Sequence, residues 1–212
     1  MTDLLKKYEQ DFALNLYRGA AFGDFYEFEN RGSKLILSAP HSVRTFRNKK
    51  EKAPDLYTGA LVKFLGRKNN LSTITRRRFS IEKNSITDFI LQHQLEHFYF
   101  LDIHGMKEND DFDLAIGTGI LNTEVYTDKL EKIRLLAEKY KIRHTINHPS
   151  YTGKFGLTGD LQKIDPTPRV LQLEWQPQMR DFYRYPQLVL TKTVPFISEL
   201  AYALIKLDKT EI

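Results

Sequence analysis

Three residues whose side chains bind metals or transfer protons stand at the ends of apolar segments in this 212-residue chain. His41 directly follows the run 34–40, His104 lies near the end of the run 98–105, and Glu174 lies near the end of the run 169–175. Runs with this composition predict buried strands. Because ligands of open α/β sheets bind outside the carboxyl ends of the strands, we expect the three side chains to meet at one edge of a sheet.

Two imidazoles and one carboxylate form a common ligand set for catalytic zinc. Zinc in such a site activates a water molecule and polarises the carbonyl group that the water attacks. His41 and His104 are the predicted ligand pair, and Asp55, which precedes a predicted helix, is the predicted third ligand. Glu51 is the alternative on the same loop, and a helix N-cap is the competing interpretation of Asp55. We therefore expect one zinc ion per chain.

Glu174 lies on the opposite strand face from Leu171 and Leu173, so its carboxylate has to be exposed or paired. It is the predicted general base that takes a proton from water and passes it to a leaving amine. A structural ion pair is the alternative. Asp102 shares a strand face with His104 and is predicted to orient its imidazole from the second shell of the site. Taken singly, each histidine is better explained as a hydrogen-bonded structural residue, whereas the two together with Glu174 favour a site.

The amino-acid composition excludes several kinds of site and indicates a location. The chain has no cysteine, which excludes disulfides, cysteine zinc sites and thiol nucleophiles. Charges throughout the first eleven residues argue against a secretory signal, and we find no run typical of a membrane span, so a cytoplasmic location is expected. Hydrophobic residues make up 41% of the chain, enough for one folded domain over residues 1–212.

The net charge of +5 comes from 32 basic and 27 acidic residues, with basic clusters at 76–78 and 47–52. This excess is small, so a solvated surface is favoured over a nucleic-acid interface, and no membrane partner is expected. An anionic small molecule or peptide-like substrate suits the charge equally well. The planar fork of arginine matches a carboxylate, which makes Arg47, Arg76 and Arg180 candidates for binding one.

Strand and helix patterns alternate along most of the chain. Predicted strands cover 34–40, 71–75, 98–105, 113–118, 142–147 and 169–175, and predicted helices cover 55–65, 85–98, 123–140 and 186–207. The segment 149–168 is rich in Gly, Pro, Thr and Asp and is predicted to be a long functional loop. Alternation of this kind predicts a three-layer α/β/α sandwich with a mostly parallel or mixed central sheet.

Four ordered motifs carry a family resemblance: Ser38-Ala-Pro-His-Ser42, Leu101-Asp-Ile-His-Gly105, Asn147-His-Pro-Ser-Tyr-Thr-Gly153 and Val170-Leu-Gln-Leu-Glu-Trp175. Together they resemble N-formylglutamate amidohydrolase-like proteins, relatives of the zinc carboxypeptidases, over about residues 34–183. The resemblance implies a phosphorylase/hydrolase-like fold, zinc bound through His41 and His104, and Glu174 as the base. It also implies that Tyr151, in the loop 151–159, contacts the substrate.

The chain departs from the zinc carboxypeptidase pattern at one ligand position. Those enzymes place a glutamate ligand three residues after the first histidine, and Arg44 stands there in this chain. Two hypotheses follow. The leading one is a zinc-dependent hydrolase that cleaves the amide bond of a small N-acyl amino acid or a peptide-like substrate. The alternative is a noncatalytic ligand-binding protein of the same fold that has lost the metal.

Overall fold

A seven-stranded sheet forms the centre of the molecule in the computed structural model, which describes residues 1–47, 49–82, 84–109 and 111–208. The strand order is β1-β5-β2-β6-β9-β7-β8. The strands are β1 Tyr26–Glu29, β2 Leu35–Ala39, β5 Ser72–Arg76, β6 Tyr99–Gly105, β7 Leu114–Gly117, β8 His144–Ile146 and β9 Val170–Trp175. Strands β3 Thr45–Arg47 and β4 Lys50–Lys52 form a separate hairpin.

The central strands β5, β2, β6 and β9 run parallel, whereas β1 and β7 pair antiparallel with their neighbours β5 and β9. The helices are α1 Thr2–Tyr17, α2 Thr58–Asn69, α3 Ile86–Gln92, α4 Thr127–Tyr140, α5 Leu157–Ile164, α6 Pro186–Leu188 and α7 Val194–Asp208. The predicted α/β architecture with a mixed, mostly parallel sheet is confirmed.

Alternation along the strands divides the apolar residues between two cores. On one sheet face, Leu37, Leu101 and Leu171 belong to a large core with residues of α1, α2, α4 and α7. On the other face, Ile36, Phe100 and Val170 pack with residues of α3 and α5. Since successive residues of a strand point to opposite faces, one apolar strand supplies both cores. The helices on the two faces complete the predicted three-layer sandwich.

The segment 149–168 differs from its prediction as a continuous loop. Helix α5 lies inside it, and its residues Leu157 and Leu161 are buried in the smaller core. Their four-residue spacing places both side chains on one helix face, where packing against β9 stabilises a helix that its Gly and Thr content disfavours. Residues 149–156 and 165–168 of the segment have no regular structure.

The C-terminal helical segment differs from the expectation that no run of the chain is typical of a membrane span. Residues Pro186–Leu207 are long and apolar enough to cross a membrane by length and composition alone. In the structure, Phe196, Ile197 and Leu200 of this segment are fully buried in the large core. The apolar character of the segment is therefore explained in part by packing within the fold.

Glu9 of α1 is a buried carboxyl group, only 2% exposed, that accepts hydrogen bonds from the Tyr17 hydroxyl (2.9 Å) and the Tyr57 backbone amide (3.3 Å). Burial raises its pKa from 4.5 to about 7, although both hydrogen bonds oppose the rise. Between these two values the unfolded chain releases its proton while the folded chain keeps it. The folded state therefore loses stability as pH rises through about 7.

We expect Glu9→Gln to stabilise the protein at pH 8 and to have little effect at pH 4.5, because glutamine needs no proton to remain neutral. The rise of the Glu9 pKa from 4.5 to about 7 corresponds to roughly 3 kcal/mol of unfolding free energy lost above pH 7. Urea unfolding of both proteins at the two pH values measures the difference. The matched control is Glu138→Gln on the exposed side of α4. An equal change in stability at both pH values would contradict the prediction.

Candidate functional site

The site begins with the register of three neighbouring parallel strands. Ser38 of β2 lies beside Asp102 of β6, and Asp102 lies beside Gln172 of β9. Two residues further along, His104 lies beside Glu174. Side chains at paired positions of parallel strands point to the same face, so these five polar residues form two rows above the apolar residues of the smaller core. On this face of the sheet, the side chains change from apolar to polar toward the carboxyl ends of the strands.

His104 is held between two carboxylates. Its Nε2 lies 2.8 Å from Asp102 Oδ2, and its Nδ1 lies 3.3 Å from Asp55 Oδ2. Burial acts to lower the pKa of His104, but hydrogen bonds and charges from Asp102 and Asp55 hold the pKa well above its usual value. Asp102 is fully buried and also accepts a 2.6 Å hydrogen bond from the Ser38 hydroxyl. Asp102 therefore lies within hydrogen-bonding distance of the imidazole that it is predicted to orient.

Asp55 reaches the site because the chain folds back onto the end of β2. Its backbone amide donates to the His41 carbonyl oxygen over 2.8 Å. Helix α2 begins later, at Thr58, and Tyr57 precedes it with a left-handed backbone (φ 72°). The interpretation of Asp55 as the N-cap of this helix is therefore wrong. Its carboxylate turns toward His104, and although burial acts to raise its pKa, the hydrogen bond with His104 is the main effect that holds the pKa below its usual value.

Glu51, the alternative third ligand, lies elsewhere. It belongs to the β3–β4 hairpin, where its carboxylate pairs with Arg18 at 2.8 Å and with Arg44 at 3.2 Å. Arg44, which occupies the position of the carboxypeptidase glutamate, also donates to the Leu16 carbonyl. Both side chains therefore serve the contact between the hairpin and the end of α1. Of the two candidate ligands, only Asp55 lies beside His104.

His41 faces His104, with ring centroids 5.0 Å apart. Its Nε2 lies 3.2 Å from Nη1 of Arg47. Arginine only donates, so Nε2 accepts this bond and Nδ1 carries the ring proton. Nδ1 is buried and has no hydrogen-bond partner among the described residues. Burial, with the nearby charges of His104 and Arg47, lowers the pKa of His41 to about 3, so the ring is neutral at physiological pH.

Several of these distances suit a tetrahedral zinc ion. Two ligand atoms about 2.0–2.1 Å from such an ion lie roughly 3.3 Å apart, and two imidazoles that share it have centroids roughly 5 Å apart. The pairs His104–Asp55 and His41–His104 have these separations. No group of three or more His, Asp or Glu side chains in the described ranges is already arranged to hold a metal ion. Two of the pairwise separations thus match those of a zinc site, whereas His41 Nε2 lies beside Arg47.

Glu174 lies beside this group on β9. Its Oε1 accepts a hydrogen bond from Gln172 Nε2 over 2.9 Å. Burial raises the pKa of Glu174 to about 7, and the negative charges of Asp55 and Asp102 add to the rise while His104 opposes it. A carboxyl group with a pKa near neutrality can accept and return a proton at physiological pH. No salt bridge to an arginine or lysine is present for Glu174 among the described residues, which disfavours the structural alternative.

A cleft of about 640 Å³ opens above these residues. His41, Asp55, His104 and Glu174 line it, and so do the predicted substrate-binding residues Arg47 and Tyr151. Further cationic side chains on its wall belong to Arg76, Lys107 and Lys154. The predicted loop thus borders the cleft, and the two histidines lie at a place that a substrate can reach.

The basic cluster 76–78 does not form one exposed face. Arg76 turns toward the cleft and is 4% exposed, with its guanidinium bonded to the Tyr26 hydroxyl and to Asn84. Arg77 instead lies over the Phe12 ring of α1. Consecutive strand residues point to opposite faces, which separates the two charges.

Arg180 does not have its predicted position. It is 7% exposed and does not line the cleft. Its guanidinium donates to backbone carbonyl groups of Trp175, Leu56 and Met106. A group so placed behind the site cannot receive a substrate carboxylate, so this part of the substrate-binding prediction is wrong.

Sequence reasoning missed Ser38, Gln172 and Gly105. Ser38 and Gln172 bond the predicted site residues Asp102 and Glu174, and the Gly105 amide donates to the Asp55 carboxylate. The available signal was the two-residue spacing from Gln172 to Glu174, which places both on one strand face. The pairing of Ser38 with Asp102 needed the strand order, which the sequence pattern does not contain.

Comparisons of the sequence with protein-family models and with curated proteins gave no match. Solved structures with a similar fold include a bacteriophage poly-gamma-glutamate hydrolase, at 16% identity and a TM-score of 0.54 with 91% of each chain covered. The N-formylglutamate amidohydrolase of Ralstonia eutropha JMP134 is similar at 10% identity and a TM-score of 0.54, with 88% of this chain and 99% of that one covered. The zinc-free apo form of YNDL is similar at 14% identity and a TM-score of 0.51, with 86% and 90% covered. The resemblance seen in the four motifs is confirmed at the level of the fold.

Proposed function

We propose that this protein is a zinc-dependent hydrolase that cleaves the amide bond of an anionic N-acyl amino acid or peptide-like substrate. The observation that carries the proposal is the convergence of His41, Asp55, His104 and Glu174 at one end of the cleft. The similarity in fold to structures of an amidohydrolase and of a poly-gamma-glutamate hydrolase supports the reaction class. The zinc-free form among the similar structures supports the choice of metal.

His41, His104 and Asp55 are the residues that would hold the ion. Zinc bound there would supply Lewis acidity to polarise an amide carbonyl and to acidify a water molecule. A metal ligand must be deprotonated. His41 is already neutral, whereas His104 has to release the proton that it shares with Asp55. Asp102 keeps the imidazole of His104 in place through its bond to Nε2.

Glu174 acts as the general base. Its carboxylate accepts a proton from the attacking water and donates it to the nitrogen of the leaving amine, so that the group ends the cycle in its starting state. Gln172 fixes one carboxylate oxygen through its 2.9 Å bond and leaves the second oxygen for this proton. The raised pKa of about 7 suits both directions of transfer.

Arg47 and Arg76 give the cleft its preference for anions. Neither guanidinium forms a salt bridge with a carboxylate among the described residues, since Arg47 bonds His41 and Arg76 bonds uncharged partners. Arg76 is buried, and a buried cation without a counter-ion is costly, so a substrate carboxylate would provide one. Arg47 is exposed at the cleft and would bind a carboxylate there. Tyr151, close to Phe112 and His148, borders the same opening and would contact the bound substrate.

A direct assay tests the proposed function. Purified protein should release amine from N-formyl-glutamate or from a γ-glutamyl peptide, lose this activity with a chelator, and regain it with zinc. The matching substrates with carboxamides in place of carboxylates should react with kcat/KM values lower by roughly tenfold or more per lost ion pair. Turnover that survives removal of all metal would contradict the zinc mechanism.

The alternative is a noncatalytic binding protein. Two observations favour it: Arg47 contacts His41, and no complete metal-holding group is present among the described residues. In that case the protein binds the acyl amino acid but neither binds zinc nor releases product. Calorimetric titration with zinc, and then with the substrate, separates the two outcomes.

A further inference from the structure

We propose that Arg180 is a positioning residue whose guanidinium holds Asp55, His104 and Glu174 at their mutual distances. This inference rests on the proposed function for its effect on turnover, but its structural part stands without it. Arg180 lies on the turn that follows β9, behind the site and outside the cleft. Its guanidinium contacts the loop after Asp55 and the ends of β6 and β9.

Each bond of the guanidinium reaches the chain just after a different site residue. Nη1 donates to the carbonyl of Leu56, which follows Asp55, over 2.6 Å. Nη2 donates to the carbonyl of Met106, two residues after His104, over 3.1 Å. Nε donates over 3.1 Å to the carbonyl of Trp175, which follows Glu174. One rigid planar group therefore links the three segments whose side chains must meet.

Close packing against Gly105 also restricts the position of the Arg180 guanidinium. A β-carbon at Gly105, the residue between His104 and Met106, would lie 2.6 Å from Cζ and 2.7 Å from Nε of Arg180. Such a contact is closer than atoms tolerate, so one of the two groups has to move. The absence of a β-carbon at Gly105 lets the guanidinium lie against the end of β6. The Gly105 amide, in turn, donates to the Asp55 carboxylate.

Arginine suits this task better than lysine. Its donors are fixed in one plane and point in different directions, so three carbonyl groups bound to it are fixed relative to one another. An ammonium group on a flexible chain would not define that geometry. Displacement of a reacting group by about 1 Å can cost on the order of 100-fold in rate.

A double-mutant cycle tests the proposal with Arg180→Ala, Gly105→Ala and the combined variant. We expect each single change to lower kcat on the order of 100-fold, with a much smaller change in KM, and to weaken the binding of zinc alone. Once Arg180 is absent, Gly105→Ala should add little, because the new methyl group has nothing left to displace. Ethylguanidinium, but not ethylammonium, should restore part of the activity of Arg180→Ala.

The control is Arg184→Ala, which removes an exposed arginine four residues further along whose nearest carboxylate contact, to Asp181, is 3.8 Å. It should leave kcat, KM and zinc binding unchanged. Additive effects of Arg180→Ala and Gly105→Ala would overturn the proposal, as would a loss expressed only in KM. Gly105→Ala retains the arginine and so provides a test even if Arg180→Ala does not fold.

A second readout separates this proposal from the proposed function. In the zinc-free protein, nitrogen NMR of the His104 imidazole reports the contact of Nδ1 with Asp55. We expect its resonances to shift in Gly105→Ala and in Arg180→Ala, and to be unchanged in Arg184→Ala. Unchanged His104 signals in both site variants would reject the positioning role. Wild-type protein that binds no zinc and releases no product would reject the proposed function alone.

Discussion

Glu174→Gln should lower kcat by about 10²–10⁴-fold, the range that general acid–base groups contribute, while zinc binding stays the same. The substitution preserves the size of the side chain, and its amide oxygen can still accept the bond from Gln172 Nε2. What it removes is the group whose pKa lies near 7 and which can exchange a proton with water and amine. Steady-state kinetics at pH 7, with zinc titrated separately, measures both quantities.

Glu82→Gln is the matched control for this change. Glu82 also lines the cleft, but it is an exposed residue of the loop between β5 and α3. Its neutralisation should change kcat by less than about threefold. A nearly normal kcat in Glu174→Gln would show that another group moves the proton, and loss of zinc from this variant would make Glu174 a ligand instead.

Asp55→Asn should weaken zinc binding by more than the roughly 10–100-fold that substitution of an outer-shell partner costs. The carboxylate lies 3.3 Å from His104 Nδ1, the spacing of two ligands of one tetrahedral ion. An amide keeps the shape of the side chain but removes the negative charge that balances the cation. Zinc titration by calorimetry, followed by activity at saturating zinc, gives the affinity and the remaining rate.

Glu51→Gln provides the comparison, because Glu51 is the other acidic residue on this loop and belongs to a surface network with Arg18 and Arg44. It should bind zinc with unchanged affinity. If Glu51→Gln loses zinc and Asp55→Asn does not, the hairpin has to close onto the site and the third ligand is Glu51.

The fold class followed from the sequence because the signal is local. Apolar strand patterns at 34–40, 98–105 and 169–175 coincide with β2, β6 and β9, which are neighbours in the sheet. A strand buried on both faces needs a continuous apolar run, and such a run is visible in any single sequence. Helix α5 was missed because packing in the smaller core, more than composition, stabilises it. The β3–β4 hairpin was missed because its short, mostly exposed strands have no apolar pattern.

The chemistry-bearing residues could also be chosen from the sequence. His41, His104 and Glu174 stood out because a polar side chain at the end of a buried strand costs free energy unless it has a hydrogen-bond or charge partner. Their common location followed from one general property of parallel sheets, whose carboxyl ends share an edge. The sequence by itself thus indicated that these three side chains lie at the carboxyl edge of the sheet.

Only the tertiary structure decided what lies around them. The sequence favoured Asp55 over Glu51 as the third ligand but left both open, and in the structure the bond from the Asp55 amide to the His41 carbonyl places only Asp55 beside the site. Arg47, Arg76 and Arg180 were equal candidates for a carboxylate, yet Arg180 bonds three backbone carbonyls behind the site. The direction of a long side chain depends on contacts between segments far apart in the chain. Those contacts cannot be predicted from a pattern of neighbouring residues.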